Sequence, residues 1–193
     1  MVTATKLTTP NSPVKYRLTV EQYYKMAEVG ILGIDQRTEL IDGEIIEMSA
    51  IGTKHAICVS NLSEILTLRT IQIAHVRQQN PIHLSDRSEP QPDIALVKRP
   101  SSLYLDCHPR PEDIFLIIEV SDSTLKYDRE IKIPLYAKAG IPEVWITNIE
   151  EQIFEVYKSP NQDSYEHMQI YGKGEVIPMS ISADIAIIVD EIF

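Results

Sequence analysis

The sequence predicts an α/β domain, and three kinds of segment support that prediction. Two apolar runs, at residues 92–98 and 114–120, have the composition of buried β-strands. Residues 54–73 carry apolar side chains at helical spacing, which predicts a long helix. Residues 152–158 and 165–171 alternate apolar and polar side chains, as antiparallel strands do. A chain of 193 residues is long enough for one such domain with a sizeable core.

The first helix and the first hairpin follow from capping and turn residues. Thr19 predicts the N-cap of a short helix, and Gly30 predicts its end. Asp42 and Gly43 lie between alternating apolar residues, a combination that is among the strongest local signals for a β-hairpin. We therefore expect a hairpin over residues 38–48.

The long helix is expected to turn one apolar stripe towards the core and to lead into a strand near residues 74–79. After that strand the chain enters the first apolar run. The helix side chains predicted to point inward are Ile57, Leu62, Ile65, Leu66 and Leu68.

Proline and glycine set the predicted bounds of the last helix. Residues 129–139 have a helical pattern, but proline is tolerated only in the first turn of a helix, and Pro134 lies within this segment. The helix is therefore predicted to begin close to Lys132 and to end at Gly140. Residues 143–147 predict the next strand.

The domain organisation is predicted to be simple. Residues 1–14 are rich in Thr, Ser and Pro and are expected to form a flexible N-terminal arm. No internal repeat or low-complexity segment indicates a second domain, so residues 15–193 are expected to form a single domain.

The composition is that of an ordinary soluble globular protein, with 44% hydrophobic and 24% charged residues. No apolar run approaches the roughly 18 residues that a membrane helix needs, and the start of the chain lacks the apolar segment of a secretory signal. Cys58 and Cys107 match no metal or redox spacing. These features predict a reduced, cytoplasmic protein with free thiols and no membrane association.

The net charge of -10 argues against a general nucleic-acid coat protein, but the charge is unevenly distributed. Residues 141–193 hold ten acids and two bases, whereas residues 1–140 hold 18 acids and 16 bases. A polyanion can therefore approach the first part of the chain while the last part repels it. The alternative is that the acidic end only keeps the protein soluble.

Two acidic residues on the apolar runs raise the functional question. Asp93 follows Pro92 at the first position of a strand, where a carboxylate meets solvent or an ion; the alternative is a turn or cap residue. Glu119 follows five consecutive apolar residues, and an ionised Glu at such a position needs a partner. That partner is either a metal ion or, in a structural ion pair, Lys132 or Arg129.

Lys132 lies 13 residues after Glu119, and from the start of the next helix its ammonium group can reach both carboxylates. The alternative is a solvated helix lysine paired with Asp128 at i,i+4. Two carboxylates can hold Mg²⁺, which prefers oxygen ligands and keeps several waters. The lysine can orient the attacking water or neutralise developing negative charge. Asp93, Glu119 and Lys132 thus supply the minimum equipment for metal-assisted phosphodiester hydrolysis.

The order of these residues resembles the PD-(D/E)xK nuclease superfamily, and the surrounding sequence resembles a large family of putative restriction endonucleases. The resemblance covers roughly residues 16 to 190. The segments that carry it are Glu39–Met48 with His55, Pro92–Val97, Ile118–Thr124, Asp128–Lys132 and Tyr136–Trp145.

The resemblance implies a restriction-endonuclease-like fold, in which α-helices flank a mixed central β-sheet. It also implies an endonuclease that cleaves DNA with Mg²⁺, for which Mn²⁺ can substitute. Asp93 and Glu119 are the implied metal ligands, with the Val120 carbonyl as a third. The superfamily pattern places lysine two positions after the Glu, where this chain has Ser121, so the resemblance nominates Lys132 on the following helix instead.

Further residues are candidates for completing the site. An acidic residue from the N-terminal half often does so in such enzymes, which nominates Glu44 and Glu39; the alternative is a solvent-facing acid of the hairpin. His55, at the start of the long helix, is a candidate for touching the site or a phosphate, or is a plain helix residue. Tyr136 and Trp145 are expected to be core aromatics.

Three functions are consistent with these features. The first is a Mg²⁺-dependent endonuclease acting on DNA. The second is a nuclease-fold module that binds nucleic acid or protein without cutting, which the acidic C-terminal part favours. The third is a structural or oligomeric domain, with strands 152–171 and the apolar run 185–189 as a dimer face. A homodimer would also suit cleavage of both strands of a duplex.

Overall fold

The structure, a computed structural model, describes residues 14–33 and 35–193. The flexible arm predicted for residues 1–14 therefore lies outside the described residues, apart from Val14. In chain order the elements are α1 (Val20–Glu28), β1 (Thr38–Ile41), β2 (Glu44–Glu47), α2 (Thr53–Thr70), β3 (His75–Gln78), β4 (Ile94–Val97), β5 (Ile114–Ser121), α3 (Leu125–Tyr127), a π-turn (Asp128–Lys132), α4 (Ile133–Lys138), β6 (Glu143–Asn148), β7 (Ile153–Asn161), β8 (Ser164–Tyr171), β9 (Val176–Pro178) and β10 (Ala186–Ile188), with short 3₁₀ turns at Ser101–Tyr104, Pro111–Asp113 and Val189–Glu191.

A six-stranded sheet forms the centre of the fold, with the strand order β3-β4-β5-β6-β7-β8. β5 and β6 are parallel and the other neighbouring pairs are antiparallel, so the predicted mixed sheet is confirmed. The chain crosses from β5 to β6 through α3, the π-turn and α4, because parallel strands need such a crossover. The hairpin β1–β2 and the pair β9–β10 form separate two-stranded sheets.

The central strands β4, β5 and β6 are buried on both faces, which explains the uninterrupted apolar runs of the sequence. Successive residues of a strand point to opposite faces, and on β4 Leu96 joins one core cluster while Ala95 joins the other. The first cluster includes Leu62, Leu66, Ile94, Ile118, Trp145 and Phe154, and the second includes Ile117, Ile133, Tyr136, Val144 and Ile146.

The capping and turn signals near the N-terminus are confirmed. The Thr19 hydroxyl accepts the Gln22 N–H at 3.2 Å, and the Gln22 side chain accepts the Thr19 N–H at 3.0 Å, so the two residues form a capping box. Asp42 and Gly43 have φ angles of 47° and 74°, which suit a tight hairpin turn. A Cβ on Gly43 would lie 2.8 Å from Arg17 Cβ, so glycine is required there for space as well as for its conformation.

The predicted inward stripe of the long helix is partly wrong. Leu62 and Leu66 are buried as predicted, but Ile57 is 60% exposed and Leu68 is 72% exposed. Besides Leu62 and Leu66, the buried stripe includes Cys58, Val59 and Thr70. Cys58, Leu62, Leu66 and Thr70 follow one another at intervals of four residues, so they lie on one side of the helix, and Ile57 and Leu68 lie outside this stripe. Thr70 is accommodated in the core because its hydroxyl donates to the Leu66 carbonyl at 2.8 Å.

The predicted helix start close to Lys132 is confirmed, because α4 begins at Ile133 with Lys132 as its N-cap. Helical structure nevertheless begins earlier, at Leu125, and runs through the π-turn into α4. In the π-turn the Ile133 N–H donates to the Asp128 carbonyl, five residues back. The wider turn directly precedes Pro134. Proline has no backbone N–H and cannot make the i to i−4 hydrogen bond of an α-helix, and the wider turn accommodates it. Lys132 therefore lies within a continuous helical segment, and its side chain is buried.

The apolar run at residues 185–189 is not a free dimer face. Ile187 and Val189 are buried in the chain's own core, on the same side of the sheet as α2. In the described ranges, no helix is both long enough and apolar enough to cross a membrane.

Candidate active site

A cavity of about 360 Å³ opens at the end of the sheet where β4 begins and β5 ends. Glu39 from β1 and His55 from the first turn of α2 line one part of it. Asp93, Glu119 and Lys132 line the part formed by the sheet and the π-turn. The fold thus gathers at one place side chains that are up to 93 positions apart in the chain.

Asp93 is held at the point where the pairing between β4 and β5 stops. The last paired residues are Ile94 and Ile118. Beyond them the Asp93 carboxylate, and not a backbone carbonyl of β4, accepts the Val120 N–H, at 2.9 Å. It also accepts hydrogen bonds from His55 Nε2 at 3.1 Å and from Gln79 Nε2 at 3.2 Å. Burial opposes its ionisation, but the hydrogen bond from His55 and the other donors hold the pKa of Asp93 below its usual range.

Glu119 lies two residues before the end of β5, and its carboxylate is buried. Lys132 Nζ lies 3.1 Å from one carboxylate oxygen, and the Tyr136 hydroxyl donates to the same oxygen. Burial raises the pKa of Glu119 to about 8, because the opposing attraction of Lys132 is offset by the neighbouring carboxylates. Glu119 is therefore an acid that lacks enough positive charge around it.

Lys132 is shared between two carboxylates. Its ammonium group lies 3.4 Å from Glu39 as well as 3.1 Å from Glu119, and Glu39 also accepts the Gln91 N–H at 3.0 Å. Burial alone would lower the pKa of Lys132, but Glu119 and Glu39 reverse that effect and raise it above its ordinary value. The neighbouring carboxylates thus raise the pKa of Lys132 against the effect of burial, and they add to the effect of burial on the pKa of Glu119.

Asp128 adds a further buried carboxylate to the cavity. It accepts hydrogen bonds from the Ser121 hydroxyl at 2.7 Å and the Thr124 hydroxyl at 2.8 Å, not an ion pair with Lys132. The alternative of a solvated lysine paired with Asp128 is therefore wrong. Ser121, at the superfamily's lysine position, ties the end of β5 to the π-turn that carries Lys132.

Strand geometry directs the Val120 carbonyl to the side of β5 on which Asp93 lies. The N–H and C=O of one residue in a strand point to the same neighbour, and the Val120 N–H points to Asp93. Val120 lies beyond the last residue of β5 that pairs with β4, so this edge of the strand is open to the cavity that Val120 lines.

Two residues that line the cavity carry a buried polar atom without a hydrogen-bond partner among the described residues. These atoms are His55 Nδ1 and the Tyr127 hydroxyl oxygen. Buried polar groups are almost always paired with protein or water. We therefore expect an ordered water beside each of them.

The structure brings most of the sequence-predicted site residues together but leaves Glu44 outside. Asp93, Val120, Glu119, Lys132, Glu39 and His55 all line the cavity. Glu44 is instead at the hairpin, where its carboxylate pairs with Lys15 at 2.9 Å and Arg17 at 3.1 Å. Among the described residues, no three His, Cys, Asp or Glu side chains already converge as a metal cluster.

Sequence reasoning missed three residues of the site, which are Asp128, Tyr127 and the hydroxyl of Tyr136. Tyr136 is in the core as expected, but it also donates to Glu119. A signal for two of them was present, because Asp128, Lys132 and Tyr136 are spaced four residues apart. That spacing places the three side chains on one side of a helical segment.

Comparison with known proteins gives one family and one fold. A family model described as Uma2, putative restriction endonuclease, matches residues 20–187. A crystal structure described as a putative nuclease belonging to DUF820 from Anabaena variabilis ATCC 29413 is similar in fold, with a TM-score of 0.70 and 17% sequence identity. The likeness covers 91% of this chain and 97% of that chain, and at this identity it bears on the fold alone. No curated protein matches the chain.

Proposed function

Because the chain belongs to the Uma2 family of putative restriction endonucleases, we propose that it is a metal-dependent nuclease that hydrolyses phosphodiester bonds in DNA. The predicted family and the predicted restriction-endonuclease-like fold are both confirmed. The metal, the substrate and the residue roles are our proposal.

The excess of buried carboxylates is the observation that carries the proposal. Glu39, Asp93, Glu119 and Asp128 are buried and line the cavity. The basic side chains in its lining are Lys132, Arg37 and His55, and of these only Lys132 is both buried and paired with two of the four carboxylates. Buried charges are stable only when they are compensated. A divalent cation would supply the missing charge and would lower the pKa of Glu119.

The donor set suits a hard cation. Asp93 and Glu119 would hold Mg²⁺ through carboxylate oxygens and Val120 through its carbonyl, with waters filling the remaining positions. When bound, the ion supplies charge stabilisation for a scissile phosphate and acidifies a bound water. These three residues form the proposed PD-(D/E)xK-like site. Ser121 occupies the position where the superfamily pattern has lysine, and Lys132 takes the role of that lysine.

The chain's own residues have separate tasks in this proposal. Lys132, which Glu119 and Glu39 keep protonated, neutralises charge that develops on the phosphate or orients the attacking water. Tyr136 fixes the Glu119 carboxylate, and Ser121 fixes the π-turn through Asp128. His55 holds Asp93 in place from α2.

The test is plasmid nicking in Mg²⁺ or Mn²⁺ by the wild type and by Asp93→Ala and Glu119→Ala. We expect both variants to lose activity. Glu44→Ala is the matched control, because it removes a carboxylate outside the cavity, and it should retain activity. Equal activity in wild type, Asp93→Ala and Glu119→Ala would contradict the proposal. Cleavage of an RNA substrate under the same conditions tests whether the enzyme prefers DNA or RNA.

A second candidate is a nuclease-fold module that binds nucleic acid or protein without cutting. The observation that favours it is the engagement of both proposed ligands by protein groups, since His55 contacts Asp93 and Lys132 contacts Glu119. This candidate predicts binding that survives Asp93→Ala and Glu119→Ala, with no metal-dependent turnover. Calorimetry with Mn²⁺, alone and with DNA, separates the two candidates. A homodimer stays a prediction, which the mass in solution tests.

A further inference from the structure

A second cavity, of about 410 Å³, lies between α1 and the loop that precedes β5. Its lining includes Tyr24, His83, Glu89, Tyr104, His108 and Arg110, none of which lines the first cavity. The proposed hydrolysis uses none of these side chains.

Glu89 forms the floor of this second cavity. Its carboxylate is buried and accepts hydrogen bonds from the Tyr24 hydroxyl and from His83 Nδ1, the latter at 3.2 Å. Its backbone N–H donates to the Leu40 carbonyl at 2.8 Å. Glu89 is therefore satisfied inside the protein and serves as an anchor for the aromatic side chains around it.

Tyr24 connects that anchor to His108. The Tyr24 oxygen lies 3.0 Å from His108 Nε2, and the single phenolic proton goes to the Glu89 carboxylate. His108 must then donate its Nε2–H to the Tyr24 oxygen, and burial lowers the pKa of His108, which favours the neutral ring. The two rings are fixed in orientation, so the cavity has a preformed aromatic wall.

Two arginines beside this wall lack carboxylate partners in the described ranges. Arg110 lines the cavity, and the Arg77 guanidinium lies 5.6 Å from the centre of the Tyr104 ring, with its buried Nε unpartnered. The arginines that do form ion pairs in these ranges are Arg17, Arg69 and Arg129. Neither Arg77 nor Arg110 is among them, although Glu89 and Asp106 line the same cavity as Arg110.

The linings of the two cavities come close together in the chain. Glu89 lines the second cavity and Gln91, two positions later, lines the first. Two positions of extended chain span about 7 Å. A nucleic-acid strand bound in the first cavity therefore has a short distance to cover to the second.

We propose that the second cavity binds one nucleotide unit, with its base against the ring of Tyr104 and its phosphate on the guanidinium group of Arg110. Aromatic faces accept any base by stacking, and arginine forks match phosphate oxygens. The nucleotide is either part of a nucleic-acid strand that continues from the first cavity, which rests on the proposed function, or a free nucleotide.

The test measures binding without cleavage, using the full-length wild type in EDTA. The probes are a fluorescein-labelled single-stranded DNA 12-mer, followed by anisotropy, and adenosine monophosphate, followed by calorimetry. Arg110→Gln and Tyr104→Ala should weaken binding at least about fivefold, the smaller end of what loss of one stacked base costs. Arg87→Gln, which removes the same charge from an exposed position outside both cavities, should change binding less than about twofold.

Thermal unfolding of each variant shows whether it is folded. If Tyr104→Ala does not fold, Arg110→Gln alone still tests the proposal. Binding of the 12-mer alone assigns the cavity to a strand, and binding of the mononucleotide as well assigns it to nucleotides in general. The proposal is overturned if neither probe binds the wild type, or if Arg110→Gln binds as the wild type does. Because no cleavage is measured, this outcome is independent of the nicking assay on Asp93→Ala and Glu119→Ala.

Discussion

Glu119 and Glu155 lie in the same row of the central sheet but in different electrostatic surroundings. Both pair with Ile146 of β6, one from each side, and they are 3% and 1% exposed. The helical segment between β5 and β6 supplies a cation to each, Lys132 to Glu119 and Arg129 to Glu155. The surroundings differ in how completely each charge is compensated.

Glu155 has a full set of donors of its own. Arg129 Nε reaches its two oxygens at 3.0 and 3.1 Å, and the Tyr157 hydroxyl donates at 2.6 Å. Glu119 shares its lysine with Glu39 and has further carboxylates close by. A buried acid is therefore not by itself a sign of function. The sign is a cluster in which acids outnumber cations.

The largest expected effect is on activity and separates the two glutamates. Glu119→Gln should reduce metal-dependent nicking by at least about 100-fold, the scale of losing one preorganised electrostatic group. Glu155→Gln should retain activity within about threefold, because it removes a charge with no part in the cavity. Initial rates of plasmid nicking in Mn²⁺ measure both. Equal losses in the two variants would contradict the distinction.

The next effect is on stability, where disrupting the Glu155 site should cost more than changing Glu119. Arg129→Met leaves the Glu155 carboxylate without its cation and should cost about 2 to 3 kcal/mol, less than a fully buried pair because Arg129 is half-exposed. Glu119→Gln should leave stability unchanged or raise it, since it removes a carboxyl group whose ionisation is opposed by burial in the folded state. Urea unfolding of the wild type and both variants measures the free energies. A larger loss in Glu119→Gln than in Arg129→Met would contradict the account.

A smaller effect concerns pH in metal-free buffer. The pKa of Glu119 is raised to about 8 from an ordinary value of 4.5, so between these values the folded state binds the proton that the unfolded state has lost. Its contribution to stability is complete below pH 4.5 and is lost as the pH rises through about 8. The stability of the wild type relative to Glu119→Gln should therefore fall from pH 5 to pH 8 in EDTA. A constant difference across this range would show that Glu119 is fully compensated.

The smallest effect compares two tyrosines. Tyr127 lines the cavity and its buried hydroxyl has no partner among residues 14–33 and 35–193, whereas the Tyr157 hydroxyl donates to Glu155. Tyr127→Phe should reduce turnover by a few-fold without loss of stability. Tyr157→Phe should cost about 1 to 2 kcal/mol and leave turnover unchanged. Thermal unfolding and nicking rates of both variants test this, and a reversed pattern would contradict it.

Most elements of the fold could be predicted from the sequence because they depend on turn, cap and apolar residues that are close together in the chain. The Asp42-Gly43 turn, the Thr19 cap and the apolar runs of β4 and β5 predict their elements directly. Pro134 predicts the start of α4 but not the helical turns that precede it, because a π-turn depends on packing that no local pattern encodes. Ile57 misled the predicted stripe of α2, since an apolar residue on a helix is often exposed.

The site was predictable in part. Asp93 and Glu119 stand out on apolar strands, and Lys132 was nominated through the family resemblance. The choice between Glu39 and Glu44 depended on which side chain of the hairpin turns inward, and that is set by how β1 packs on Gln91. Glu155 carried the same signal as Glu119, a Glu among apolar strand residues. The donors that distinguish the two come from the fold and not from the local sequence.

The central claim is that the excess carboxylates hold a divalent cation, and manganese anomalous scattering tests it most directly. Crystals soaked with Mn²⁺ and measured near the manganese absorption edge should show a peak between the carboxylates of Asp93 and Glu119, with none beside Glu155. Ordered side chains without a peak at saturating Mn²⁺, with and without a bound DNA duplex, would contradict the claim.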